Sequence, residues 1–193
     1  IIDDVKITSS GLVPKVWNGT SWSPAPPQPS DKAIINADYN TGTEGSFAVC
    51  QCEIKSTATV TIGEDTFVQV TDFVKNDGVI LVKPNGNFIQ LVDTDSNTGS
   101  GTLKAIQNIT VGNHQQYNYL ISPTEGTNMK GVYRNVDGDP IVVPIVMYHD
   151  EKNNRFFNSS GAYIKGRGLA VKEPTNETSV RAEFSGKPVN ACL

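Results

Sequence analysis

The sequence predicts an all-β protein, and three observations carry that reading. No window of eleven or more residues places apolar side chains at the i, i+3, i+4 and i+7 spacing of an amphipathic helix. Short apolar runs rich in β-branched residues recur along the whole chain. Charged residues make up only 19%, and Ser, Thr, Asn, Gln and Gly fill the difference, which suits strands joined by many turns.

The expected strands are Ala33-Ile34-Ile35, Thr57–Ile62, Phe67–Val70, Val79–Val82, Phe88–Leu91, Ile141–Val143, Ile145–Tyr148 and Gly168–Val171. Turn formers separate them, among them Asn76-Asp77-Gly78, Pro84-Asn85-Gly86, Asp137-Gly138-Asp139-Pro140 and Asn158–Gly161. The middle of the chain also repeats. Val60-Thr61-Ile62 and Ile80-Leu81-Val82 lie about twenty residues apart, as do Val68-Gln69-Val70 and Ile89-Gln90-Leu91. Such spacing predicts a short right-handed parallel β-solenoid, whose coils bury their inward residues only by stacking. Ordinary sandwich hairpins are the competing arrangement. After residue 100 the repeat stops and tyrosines appear at 117, 119, 133, 148 and 163. The expected organisation is a capped solenoid-like region over 1–101, a polar linker from Asp93 to Gly101 at its end, and an antiparallel β-sandwich-like region over 102–193.

The composition also excludes several functions. Net charge is −4 and no basic run occurs, which argues against nucleic acid as a partner. The longest apolar runs are strand-sized, so no transmembrane segment is expected. Only two histidines occur, His114 and His149, with no nucleophile elbow and no His-Glu-x-x-His pattern, so the chain reads as a non-enzyme with no cofactor. His149-Asp150-Glu151 with Arg155 has the residue types of an active site, but the run that follows reads as a hairpin tip. Asp150 or Glu151 with Asp139 is a conceivable hydrolytic carboxylate pair for a polysaccharide-degrading enzyme, the least favoured alternative.

Three sets of residues are candidate sites. Trp17 and Trp22 bracket Asn-Gly-Thr-Ser and could stack on a sugar, or could cap the open end of the solenoid. Asp93, Asp95 and Asn97 place oxygens at alternate positions as calcium loops do, without the glycine or closing glutamate of an EF-hand. Asp137-Gly138-Asp139 is a shorter acidic turn of the same kind. Cys50, Cys52 and Cys192 are either small apolar residues or disulfide partners, and Cys50-Gln51-Cys52 is not a zinc spacing.

An ordered run of short motifs extends over nearly the whole chain. It opens with Trp17-Asn18-Gly19-Thr20-Ser21-Trp22-Ser23 and continues through Cys50-Gln51-Cys52-Glu53-Ile54 and Asn85–Gln90. Later come Tyr117-Asn118-Tyr119-Leu120-Ile121-Ser122-Pro123, then Tyr148 with Asn154-Arg155-Phe156 and Gly166-Arg167-Gly168, and finally Phe184-Ser185-Gly186-Lys187-Pro188. The run resembles modules of large surface proteins of Bacteroidota exported by the type IX secretion system. Phe156 stands where those modules carry Trp, and Leu169 where they carry Tyr. The resemblance implies an extracellular or cell-surface location and a structural or adhesive role, in some cases linked to gliding motility. Its implied partners are the outer-membrane secretion translocon or other surface proteins of the same cell. A carbohydrate-binding module with glycan partners is the alternative, and the resemblance transfers no catalytic residue.

Overall fold

A computed structural model describes residues 11–92, 97–112, 116–174 and 177–189. At its amino-terminal end β1 (Pro14–Trp17) and β2 (Trp22–Ser23) form a short antiparallel pair. Three coils of three strands follow. The first holds β3 (Lys32–Ile35), β4 (Tyr39–Asn40), a one-turn helix α1 (Thr41–Glu44) and β5 (Phe47–Val49). The second holds β6 (Gln51–Ile54), β7 (Thr59–Ile62) and β8 (Phe67–Val70), and the third β9 (Val74–Asn76), β10 (Val79–Val82) and β11 (Asn87–Gln90).

Successive coils pair strand on strand in parallel, at offsets of 18 to 23 residues. Three sheets therefore face a single column, a solenoid-like arrangement of about four turns. The inward residues Ile35 and Ile54, Val60 and Ile80, and Val49 and Val70 stack at equivalent positions and are fully buried. Burying each such side chain contributes about 1.5–3 kcal/mol, which no coil could gain alone.

The spacing of Val60-Thr61-Ile62 with Ile80-Leu81-Val82 is the register found. The second expected pairing is one residue out: Val68 stands opposite Phe88, not Ile89. A one-residue slip exchanges the two faces of a strand. Phe88 packs against the column while Ile89 is exposed, so core packing sets the register.

The two ends of the column differ in chemistry. At the amino-terminal end Trp17, Trp22, Tyr39 and Phe47 form one aromatic cluster, with ring centroids 5.0–5.6 Å apart and largely tilted or edge-on. At the other end the inward ladder turns polar: Asn76 follows Ile54, and Gln90 follows Val70. Asn97 exchanges two amide hydrogen bonds with Gln90, at 2.8 and 2.9 Å.

The stretch read as a linker belongs to the solenoid over its described residues, 97–101. Thr98 bridges in parallel to Lys75, Asn76 N–H donates to Thr98 O, and Gly101 N–H donates to Asn76 O. The chain then enters β12 (Thr102–Thr110), whose first four residues pair in parallel with β10.

The remaining elements are β13 (Tyr117–Leu120), a 3-10 turn (Met129–Gly131), β14 (Tyr133–Arg134), β15 (Pro140–Ile141), β16 (Val146–Asp150), β17 (Arg155–Asn158), β18 (Leu169–Lys172) and β19 (Ser179–Gly186). β19 runs antiparallel to β12 over eight residue pairs and carries β14 and β15 beyond it. A separate antiparallel sheet has the order β13-β18-β16-β17. Both sheets contribute to a second core cluster, with Val180, Ala182 and Phe184 from one and Leu120, Val146 and Val171 from the other. The expected boundary at 101/102 thus falls where one seven-stranded sheet is continuous. β12 is both a solenoid rung and a strand of the antiparallel half, and Ala105 packs against both clusters.

Candidate functional site

Strand alternation builds an exposed aromatic feature on the sheet β13-β18-β16-β17. Leu120, Val171 and Val146 point to the core, so Tyr119, Ala170 and His149 point to the opposite face. His149 stands opposite Phe156 across the β16–β17 hairpin, with ring centroids 5.0 Å apart. Tyr119, from the far edge of the sheet, brings its ring to 6.4 Å from Phe156.

Between these rings lies a groove of about 600 Å³ with Gly168 and Ala170 on its floor and Ile121 beside Tyr119. Ala170 is small enough to leave the space between the rings open. Tyr119 is 74% exposed and Phe156 47%, an unusual exposure for rings that neighbour each other.

A polar depression continues the groove, sharing His149 and Gly168 and adding Asp150, Glu151, Lys165 and Arg167. The Arg167 guanidinium lies 5.0 Å from the centre of the Tyr148 ring, a cation–π contact. Asp150 caps the hairpin turn, accepting from the Lys152 and Asn153 backbone N–H groups and from Asn153 Nδ2. The Asn153 side chain chiefly, with the backbone donors, holds the Asp150 carboxyl below its usual range. The turn at 151–154 is thus the hairpin tip read from the sequence. Apolar rings beside charged groups and hydroxyl-compatible donors form a surface that can hold an amphipathic ligand.

The residues singled out from the sequence lie elsewhere. Trp17 is 3% exposed and donates Nε1–H to Asp38 O at 2.9 Å, so its ring faces the column rather than solvent. Trp22 is half-buried against Trp17, Tyr39 and Phe47. Of the calcium-type loop, Asp93 and Asp95 lie outside the described residues. Asn97 is described, and its Oδ1 accepts from Val74 N–H and from Gln90 Nε2. Asp139 sits in a turn in which its N–H donates to Asn135 Oδ1. Cys52 is buried in the column and Cys50 half-buried at the preceding corner, both as free thiols, while Cys192 and His114 lie outside the described residues.

Sequence reasoning missed Tyr119 and Phe156 as a pair. The signal present was Tyr119 on the solvent phase of a strand whose next residue, Leu120, is buried.

A family model for a domain of unknown function, DUF8693, matches residues 8–192. The chain belongs to the DUF8693 family. The DUF8693 match runs across residues 101 and 102, where β12 also carries the sheet from one half to the other. No curated protein and no solved structure matches this DUF8693 chain.

Proposed function

We propose that this DUF8693 chain is a non-enzymatic structural and adhesive module of a bacterial surface or secreted protein, exported by the type IX system. The observation that carries the adhesive part is the exposed aromatic groove of Tyr119, His149 and Phe156 on a sheet packed into the second core cluster. Contacts made there are held on strands rather than loops, which favours a preformed surface. Export rests on the sequence resemblance. Its partners in that setting are the outer-membrane translocon or other surface proteins of the same cell. We read the coils as right-handed, the hand that parallel crossovers take in about 98% of cases, and the two antiparallel sheets as a sandwich about the second cluster.

One observation favours a carbohydrate as the ligand. A pyranose packs its C–H face on an aromatic ring while its hydroxyls need polar partners, and the apolar groove here opens into Asp150, Glu151, Lys165 and Arg167. Glycan-array screening of the whole chain, compared with Tyr119→Ala and Phe156→Ala, tests this. Binding lost in both variants supports a glycan in the groove, and unaltered binding removes it. Surface-protease treatment of intact cells, with and without a functional type IX translocon, tests the export route.

A further inference from the structure

Among the described residues the solenoid is one strand short on one of its three sides. Above β9 the chain adds Thr98, and above β10 it adds β12, so both of those sheets rise into a fourth coil. The third sheet has the order β11-β8-β5, and no described strand pairs with the outer edge of β11. Asn87 N–H donates to Thr66 O and Leu91 N–H to Val70 O, so the odd-numbered residues of this strand bond towards β8. Strand alternation then turns the N–H and C=O groups of Phe88 and Gln90 the other way. Among the described residues neither backbone group has a partner on that side.

That edge borders a cleft of about 490 Å³. Val82, Phe88, Leu103 and Ala105, the last apolar layer of the column, form its floor. The opposite wall is a two-stranded bridge in which Thr124 pairs with Pro188 and Val189 N–H donates to Pro123 O. Pro123 and Pro188 line the cleft, and neither has an N–H to offer β11. The cleft therefore has the apolar floor and the hydrogen-bonding edge of a strand site, without a complementary strand on the far wall.

We propose that the outer edge of β11 is a peptide-binding site. It takes an extended segment of another polypeptide as a parallel fourth strand, with alternate apolar side chains set on Phe88 and Ala105. The ligand class follows from the chemistry of the two surfaces: an unpaired strand edge is satisfied by a peptide backbone, and an apolar column end by its inward side chains.

The probe is a fluorescent peptide copying residues 66–71 (Thr-Phe-Val-Gln-Val-Thr), the sequence that β11 already accepts on its inner edge. Two further peptides carry backbone N-methyl groups at alternate residues, one on each phase of the strand. The expected result is saturable binding to the whole protein, with slowed exchange of the Phe88 and Gln90 amides. One methylated phase should bind about tenfold or more weakly, and the other as the parent does. Absence of binding, equal binding of both methylated peptides, or Phe88 and Gln90 amides already protected in the free protein would each overturn the proposal.

Discussion

Glu53 is nearly buried on the outer face of the first solenoid sheet, and its carboxylate lies 2.8 Å from the Lys32 ammonium. Lys55 at 2.6 Å and Lys75 at 3.4 Å complete a ring of three cations from successive coils and a corner. The Lys32 and Lys55 hydrogen bonds, ahead of the opposing cost of burial, lower the Glu53 pKa to about 2. A carboxylate with a depressed folded pKa stabilises the fold above its unfolded pKa of about 4.3, and that stability is lost as pH falls towards 2. The lysines are partly exposed, which reduces the effect, so Glu53→Gln should cost about 1–2 kcal/mol at pH 7. Denaturant titrations from pH 7 to pH 2 should show the variant converging on the parent at the acid end. A constant difference across that range would exclude the ion cluster as the cause.

The column was legible because its ladder is apolar and in register, as Val60 above Tyr39 and below Ile80 makes plain. Its fourth coil was not. Residues 97–101 join the stack through backbone groups of Asn76 and through the Asn97 side chain, and such bonds leave no hydropathy pattern. β12 hid for another reason: its inward residues serve first the column, at Leu103, and then the second cluster, at Ile109. The aromatic groove was illegible because Tyr119 and Phe156 meet across two intervening strands, and only the order β13-β18-β16-β17 brings them together. Trp17 and Trp22 drew attention by residue type, while burial gives their rings to the column end.

Gly78 marks a corner where coils touch. A Cβ there would collide with the carbonyl oxygens of Ala58 and Lys55, and one at Gly101 would collide with Gly78 O one coil below. These are backbone atoms held by the stacking ladder, so they cannot yield without parting the coils. Gly78→Ala should cost about 3 kcal/mol, and thermal unfolding should shift by about 2–4 °C per kcal/mol for a chain of this size. Gly131→Ala is the control, since nothing lies within 4 Å of its Cβ and its φ is ordinary. It should stay within about 0.5 kcal/mol of the parent.

The aromatic residues divide into packing and presenting groups, and substitution should separate them. Trp17→Ala removes a buried ring that touches Trp22 and Tyr39, with an expected cost of about 3–5 kcal/mol. Tyr119→Ala and Phe156→Ala remove exposed rings and should leave the unfolding midpoint almost unchanged, while weakening capture of a groove ligand about tenfold or more, which is 1.4 kcal/mol. Paired melting and binding curves measure both effects. A strongly destabilised Tyr119→Ala would mean that the groove is packing surface.

Cys50 and Cys52 differ in reactivity because of where the column places them. Cys52 faces inward on β6, opposite Ala33 and Val74, and is buried among apolar side chains. Burial first, then the neighbouring Glu53 charge, pushes its thiol up to about 12. The thiolate is the species that alkylates, so its fraction at pH 8 is about one part in ten thousand before access is considered. Iodoacetamide at pH 8 should therefore label Cys50, at its half-buried corner, and spare Cys52 in the native chain. Denaturant should expose both to labelling at comparable rates, and mass spectrometry of tryptic peptides would resolve the two sites. Raising the pH to 9.5 should increase native Cys52 labelling in proportion to its thiolate, about tenfold per pH unit below the thiol pKa, while leaving it far slower than in denaturant. Rapid native labelling of Cys52 would instead mean that the coils open at β6 faster than they unfold as a whole.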